Sequence, residues 1–279
     1  NKSILFATSA LVASTGMGSA AAQDTDDGSI VTAGKREQTL QEVPIAVSVV
    51  DDEVVADAQI NDLLDLQSVV PSLRVSQLER AGNATFIIRG FGNGANNPGI
   101  EPSVAVYIDG VFRSRSASAI SDFLDLERVE VMRGPQSTLF GKNATAGVVS
   151  FVTKKPSFDW NGVTEVTYGN YDQRIARGYV TGHITDNLAF SLSGSVNKRD
   201  GYTDNLAGGP SLNDRDRLSC RGQALWQPTD SLELRLIADM DEIDEVCCTV
   251  LNAGEEPFNF VDGGPTPSEI VNALGGDKN

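Results

Sequence analysis

Leu188-Ala189-Phe190-Ser191-Leu192-Ser193-Gly194-Ser195-Val196-Asn197 alternates over ten residues between two kinds of side chain. Successive side chains on a strand point to opposite faces. Residues 188, 190, 192, 194 and 196 therefore form an apolar face, and residues 189, 191, 193, 195 and 197 a small, polar one. The pattern recurs downstream. Leu232, Leu234, Leu236, Ala238 and Met240 alternate with Ser231, Glu233, Arg235, Ile237 and Asp239; Leu218, Cys220, Gly222, Ala224 and Trp226 alternate with Arg217, Ser219, Arg221 and Gln223. A soluble sandwich with one wet face uses strands of about 5–6 residues. Strands of about ten residues with strict alternation suit a transmembrane barrel, apolar side outward and polar side toward the lumen.

The links test this independently. With strands near 163–169, 174–184, 188–198, 217–227 and 231–241, Thr185-Asp186-Asn187 and Pro228-Thr229-Asp230 are tight turns, whereas the links after Arg199 and Asp241 are long and polar. Outer-membrane barrels combine short periplasmic turns with longer external loops. If the first strand rises from the periplasm, both tight turns fall inside and both long links outside; the short link at Gly169-Asn170 also falls outside. Such barrels close with at least about eight strands. The expectation for residues 157–279 is thus an incomplete antiparallel transmembrane β-barrel of about five strands, ending inside the third external loop.

Upstream the pattern is mixed. Val47-Ser48-Val49-Val50 reads as a strand, and residues 56–67 carry Ile60, Leu63 and Leu64 at helical spacing before Pro71. Apolar runs then alternate with Gly turns: residues 86–90, 104–108 before Asp109-Gly110, 129–132 before Arg133-Gly134-Pro135, and 148–153. Residues 37–156 are expected to form an α+β domain with its own core.

The first residue is Asn1 rather than Met, which reads as a missing start. Lys2, the apolar stretch 4–13, the small residues Ser19-Ala20-Ala21-Ala22 and the acids from Asp24 onward read as a secretory signal peptide over residues 1–23. The apolar stretch is too short for a spanning helix. The net charge of −16 excludes nucleic acid as a partner class. The three cysteines, Cys220, Cys247 and Cys248, suit a disulfide in an exported protein better than a zinc site, and their pairing stays open. With His183 as the single histidine and no nucleophile–base pair in view, the sequence points away from an enzyme, and no cofactor or resident metal is expected.

The segments Ile30-Val31-Thr32-Ala33, Val43-Pro44-Ile45-Ala46-Val47, Pro71-Ser72-Leu73, Ile87-Ile88-Arg89-Gly90-Phe91, Val106-Tyr107-Ile108-Asp109-Gly110-Val111, 126–135, Leu139-Phe140-Gly141 and Ala146-Gly147-Val148-Val149 follow one another in this order. Together they resemble the TonB-dependent outer-membrane receptor family, from about Ile30 to the last residue. The resemblance implies a plug domain inside a barrel in the outer membrane of a Gram-negative bacterium; outer-membrane transporters have 22 strands and a plugged lumen. It implies surrounding outer-membrane lipid and transport of a scarce small molecule, an iron–siderophore complex by base rate, with cobalamin and oligosaccharides as alternatives. It also implies energy input from TonB, with ExbB and ExbD, through a TonB box at Ile30, Val31, Thr32 and Ala33 inside a linker spanning 24–36. A short β-branched segment can add to the edge of a partner's sheet; an ordinary first strand of the α+β domain is the alternative reading of the same residues.

Two loops are candidates for the plug apex that meets ligand: Arg89, Phe91, Asn93 and Asn96 in the first, and Phe112, Arg113 and Arg115 in the second. Arginine's forked donors suit an anionic ligand; pairing with plug or barrel acids is the alternative role. Glu127, Glu130, Arg133 and Gly134 are read as a polar latch between plug and barrel wall, since a wholly apolar seam would behave as a permanent core. A passive porin would lack the separate N-terminal domain. A surface signal receptor of the same architecture would carry an extra signalling domain ahead of the TonB box.

Overall fold

The computed structural model describes residues 30–34, 38–58, 60, 64–77, 84–92, 101–114, 125–205, 208–229 and 231–246. The expected signal peptide, residues 24–29, Leu63, Asn93, Asn96, Arg115, Cys247, Cys248 and the chain beyond 246 lie outside the described residues.

The α+β region is organised by one five-stranded sheet. Its strands are β3 (Ala46–Asp51), β7 (Val104–Ile108), β8 (Val111–Arg113), β9 (Leu126–Arg133) and β10 (Gly147–Thr153), in the order β3-β9-β10-β7-β8. Only β10 and β7 run parallel. Their runs of β-branched residues are buried on both faces, as a covered central strand requires. Val106, Val129, Val131, Val149 and Phe151 pack on one side, under β4 (Leu73–Gln77), β5 (Ala84–Ile88), Ile60, Leu66 and Val70. Ala105, Tyr107, Met132 and Val148 pack on the other, against Phe140, Val31 and Ala33.

Two hairpins close with two-residue turns: β5 to β6 (Phe91–Gly92) through Arg89-Gly90, and β7 to β8 through Asp109-Gly110. Both residues of each turn have positive φ, the type I′ geometry whose twist matches antiparallel strands. This is the conformation the Asp-Gly pair predicts. The helix does not follow its expected span of 56–67. It occupies α1 (Asp52–Asp57), where the Asp51 carboxylate accepts the Val54 N–H at 2.8 Å, and a separate 3₁₀ turn covers Asp65–Ser68. An N-cap and acids in the first turn fix a helix start more strongly than apolar spacing does.

The second sheet is a meander of β11 (Asn161–Gly169), β12 (Gln173–Thr185), β13 (Leu188–Arg199), β14 (Arg215–Thr229) and β15 (Leu232–Ile243), antiparallel throughout. Its polarity is the reverse of a soluble sheet. Ser191, Ser193, Ser195, Asn197, Arg217, Ser219 and Gln223 are buried, whereas Leu192, Val196, Leu218, Leu234, Leu236 and Met240 face outward, Leu236 with 72 % of its surface accessible. Trp160, Phe190 and Trp226 cluster on the outward face at the end carrying the 186–187 turn, and Tyr168, Tyr171 and Tyr202 stand at the other. Trp160 lies directly over Gly182, where a β-carbon would come within 2.5 Å of the indole. Two aromatic rows flanking an apolar band is the profile of a lipid-facing barrel wall. Pro228 and Thr229, expected in the turn at 228–230, belong to β14 instead, with Pro228 at a register shift, a position that tolerates the missing donor. The structure thus contains an α+β domain against five antiparallel wall strands, and the wall is not closed. No helix among the described residues is long and apolar enough to cross a membrane, which says nothing of strands.

Candidate functional site

The polar inner face of the wall meets the α+β domain at one end of its sheet, where β7 and β10 end and β9 begins. Asp109 is the hub. Its left-handed turn conformation aims the carboxylate back at β10, where it accepts the Thr153 N–H at 2.9 Å and the Thr153 hydroxyl at 2.9 Å. From the wall, Arg221 donates to it at 3.0 Å and Arg235 approaches at 3.6 Å. Arg235 also donates to the Thr153 hydroxyl at 2.8 Å and to Gln223 at 2.6 Å. Gln223 in turn donates to the Asp125 carboxylate at 2.7 Å. Lys155–Glu233 at 2.8 Å and Arg113–Asp239 at 3.2 Å extend the seam along β15. Burial raises the Asp125 carboxyl above its ordinary value of 3.8, against the lowering effects of the Arg221 charge and the Gln223 hydrogen bond.

The residues expected as a latch, Glu127, Glu130, Arg133 and Gly134, make other contacts among the described residues. Glu127 pairs with Arg128, Arg133 donates to the Val47 carbonyl at 3.3 Å, and the Gly134 N–H donates to Ala146. These residues lie on or just after β9, which is flanked by β3 and β10. The wall meets the β8 edge and the sheet's Asp109 end. The run 126–135 is a contiguous motif, whereas the seam residues are isolated polar positions with no local signal beyond the Asp-Gly turn.

The apex candidates separate. Arg89 and Phe91 come together with Gly134, Pro135, Ser103 and Thr145 around an open cavity of about 470 Å³. Phe91 is 74 % exposed and Arg89 is exposed. The cavity lies at the opposite end of the sheet from Asp109, as the parallel β7–β10 register places Val104 and Gly147 together there. Phe112 instead packs inward, its ring 5.6 Å from that of Tyr107, and Arg113 is committed to Asp239. A second cavity of about 620 Å³ separates α1, Asp125 and Lys154 from Glu165, Arg177 and Tyr179 on β11 and β12. Near the end of the wall that carries the 200–214 link, Glu245 is fully enclosed and accepts from Arg217 at 2.5 Å and Arg215 at 3.1 Å. Sequence reading missed this ion cluster because its acid lies after the last strand.

Residues 30–33, assigned to a linker, are docked. Strand β1 (Ile30–Val31) pairs with β2 (Gln38–Thr39), and Val31 and Ala33 are fully buried against Met132, Tyr107 and Phe140. Thr32 between them donates its N–H to Glu130 at 2.8 Å and places its hydroxyl 3.1 Å and 3.2 Å from the two carboxylate oxygens. The apolar–polar–apolar order that suits strand addition to a partner also suits packing on this sheet.

Residues 39–148 match the family described as the TonB-dependent receptor plug domain. The chain is similar to an iron-regulated outer membrane virulence protein of Vibrio cholerae, with 31 % identity over 65 % of the chain and 30 % of the relative. It is similar to a vitamin B12 transporter of Vibrio vulnificus at 30 % identity, over 64 % of the chain and 29 % of that protein. Among solved structures, the ferric yersiniabactin uptake receptor of Yersinia pestis superposes with a TM-score of 0.66 at 26 % identity, covering 71 % of this chain and 31 % of the receptor. The chain thus spans about 30 % of the length of these relatives.

Proposed function

We propose that this chain, a member of the TonB-dependent outer-membrane receptor family, supplies the plug and first wall strands of an active transporter in the bacterial outer membrane. The single observation that carries the membrane reading is the wall sheet, polar toward the plug and apolar outward. Arg89 and Phe91 at the open cavity offer a forked cation and an exposed ring to an anionic or aromatic cargo, with Asn93 and Asn96 in the same loop of the sequence. TonB, driven through ExbB and ExbD, takes hold of residues 30–33 by strand addition and supplies the energy.

The cargo class is a ferric siderophore. Relatives named for iron regulation, for ferrioxamine B and for ferric yersiniabactin support it. Cobalamin is the second reading, favoured by the 30 % identity to the vitamin B12 transporter. Deletion of the gene, followed by growth on chelated iron with single ferric siderophores and, separately, on cobalamin-dependent medium, tests this. Loss of growth on one ferric siderophore is the expected result. A defect confined to cobalamin-dependent growth overturns the iron assignment, and normal growth in every medium overturns transport itself.

A further inference from the structure

Glu130 is an acid that the family role leaves without a task. It sits in the middle of β9 with none of its side chain accessible, facing the layer where Val31, Ala33, Met132 and Val148 pack. An enclosed carboxylate needs hydrogen-bond donors or it costs the fold heavily. Arg128 provides one, its Nε donating at 2.9 Å. Thr32 provides the others, through its N–H and its hydroxyl. Two positions along β9, therefore, one partner is permanent and the other arrives from a segment 98 residues away in sequence.

The segment itself has little else to hold it. Strand β1 pairs with β2 over two residues only, far below what a free hairpin needs. Among the described side chains, its grip consists of two buried apolar ones, Val31 and Ala33, and the polar clasp between them. Lifting residues 30–33 breaks that clasp and leaves Glu130 inside the plug with Arg128 as its remaining donor.

We infer that Glu130 is the lock of the docked N-terminal segment: it holds Thr32, and so sets the fraction of molecules in which residues 30–33 are available to a partner's sheet edge. The partner is a protein presenting an unpaired strand, and its identification as TonB rests on the function proposed above. Glu130 acts as a positioning residue, through Thr32, and touches no cargo.

Hydrogen–deuterium exchange on the full-length protein tests this, read at the Thr32 amide and at the core amides of β9 and β10. A hydrogen bond to a charged acceptor slows exchange by roughly tenfold or more. In Glu130→Gln, the Thr32 amide is expected to exchange roughly tenfold faster while the core amides of Val131 and Val149 hold their rates. Thr32→Val removes the hydroxyl contacts without touching β9 and is expected to speed exchange across 30–33 in the same way; it carries the test if Glu130→Gln fails to fold. Unchanged exchange across 30–33 in folded Thr32→Val overturns the lock. Binding of the periplasmic domain of TonB is then measured on the same variants. Faster exchange with tighter binding supports both inferences, whereas faster exchange with no binding in any variant keeps the lock and overturns the TonB-box assignment.

Discussion

The plug and the wall each contain a five-stranded sheet, and the two solve opposite problems with the same backbone. In the plug, β7 and β10 bury apolar side chains on both faces, Val104, Val106 and Val149 on one and Ala105, Tyr107 and Val148 on the other. In the wall, Ser191, Ser193 and Ser195 are buried while Leu192 and Val196 are exposed. The plug is held by apolar burial, worth about 25 cal/mol per Å² removed from water. The wall gains that term only from lipid, and its inner face is joined to the plug by charge and hydrogen bonds. Opposite rules on the two sides of one seam let the plug keep its own core while its hold on the wall stays polar.

The sharpest way to break this contrast is a charge placed in each apolar layer. Val149→Asp puts an unpaired carboxylate at a fully buried position of β10 and is expected to cost more than about 4 kcal/mol. Limited proteolysis should then lose the protected plug fragment while the wall strands still insert. Leu236→Arg on the outward face of β15 is expected to cost about 2–4 kcal/mol, read as reduced folding into lipid vesicles, with plug protection unchanged once inserted. A wall indifferent to arginine at 236 would mean that this face does not meet hydrocarbon.

At the seam the expected effect is smaller, and two substitutions separate charge from turn geometry. Asp109→Asn keeps the left-handed turn and an acceptor for Thr153 but removes the charge facing Arg221 and Arg235. It should loosen the plug by about 1–2 kcal/mol. Asp109→Ala loses the turn preference as well and should cost about a further 1 kcal/mol. Both are measured as faster release of the plug fragment from the folded protein in limited proteolysis. Equal release in the two variants would show that the charge alone matters.

How much of this was legible in the sequence follows from the range of each interaction. The wall strands were readable almost to the residue, because period-2 alternation is local and strict. The Asp109 turn was readable for the same reason. The spacing of Ile60, Leu63 and Leu64 points to a helix downstream of the observed one, because the Asp51 cap, not apolar spacing, fixes where it starts. The seam is not legible, because its members, Asp109 with Arg221 and Asp125 with Gln223, are about a hundred residues apart and come together only across the plug–wall boundary. The sequence leaves the docking of residues 30–33 open, since a first strand that packs on the plug and a strand that pairs with a partner share one composition.

The smallest expected effect concerns pH and Asp125. Burial raises this carboxyl in the folded plug above 3.8, so the folded protein keeps the proton at pH values where the unfolded chain has lost it. The contribution of Asp125 to stability is therefore fully present below pH 3.8 and is lost as pH rises through the raised value. In Asp125→Asn that slope disappears. The wild type minus variant difference in unfolding free energy should fall with rising pH across the acid range and level off above it, as followed by denaturant unfolding at a series of pH values. The sign is informative, because burial is opposed here by the Arg221 charge and the Gln223 hydrogen bond, both of which belong to the wall. A difference that grows with pH would mean that the wall's donors outweigh burial, and that the plug at this point is held by the seam more than by its own core.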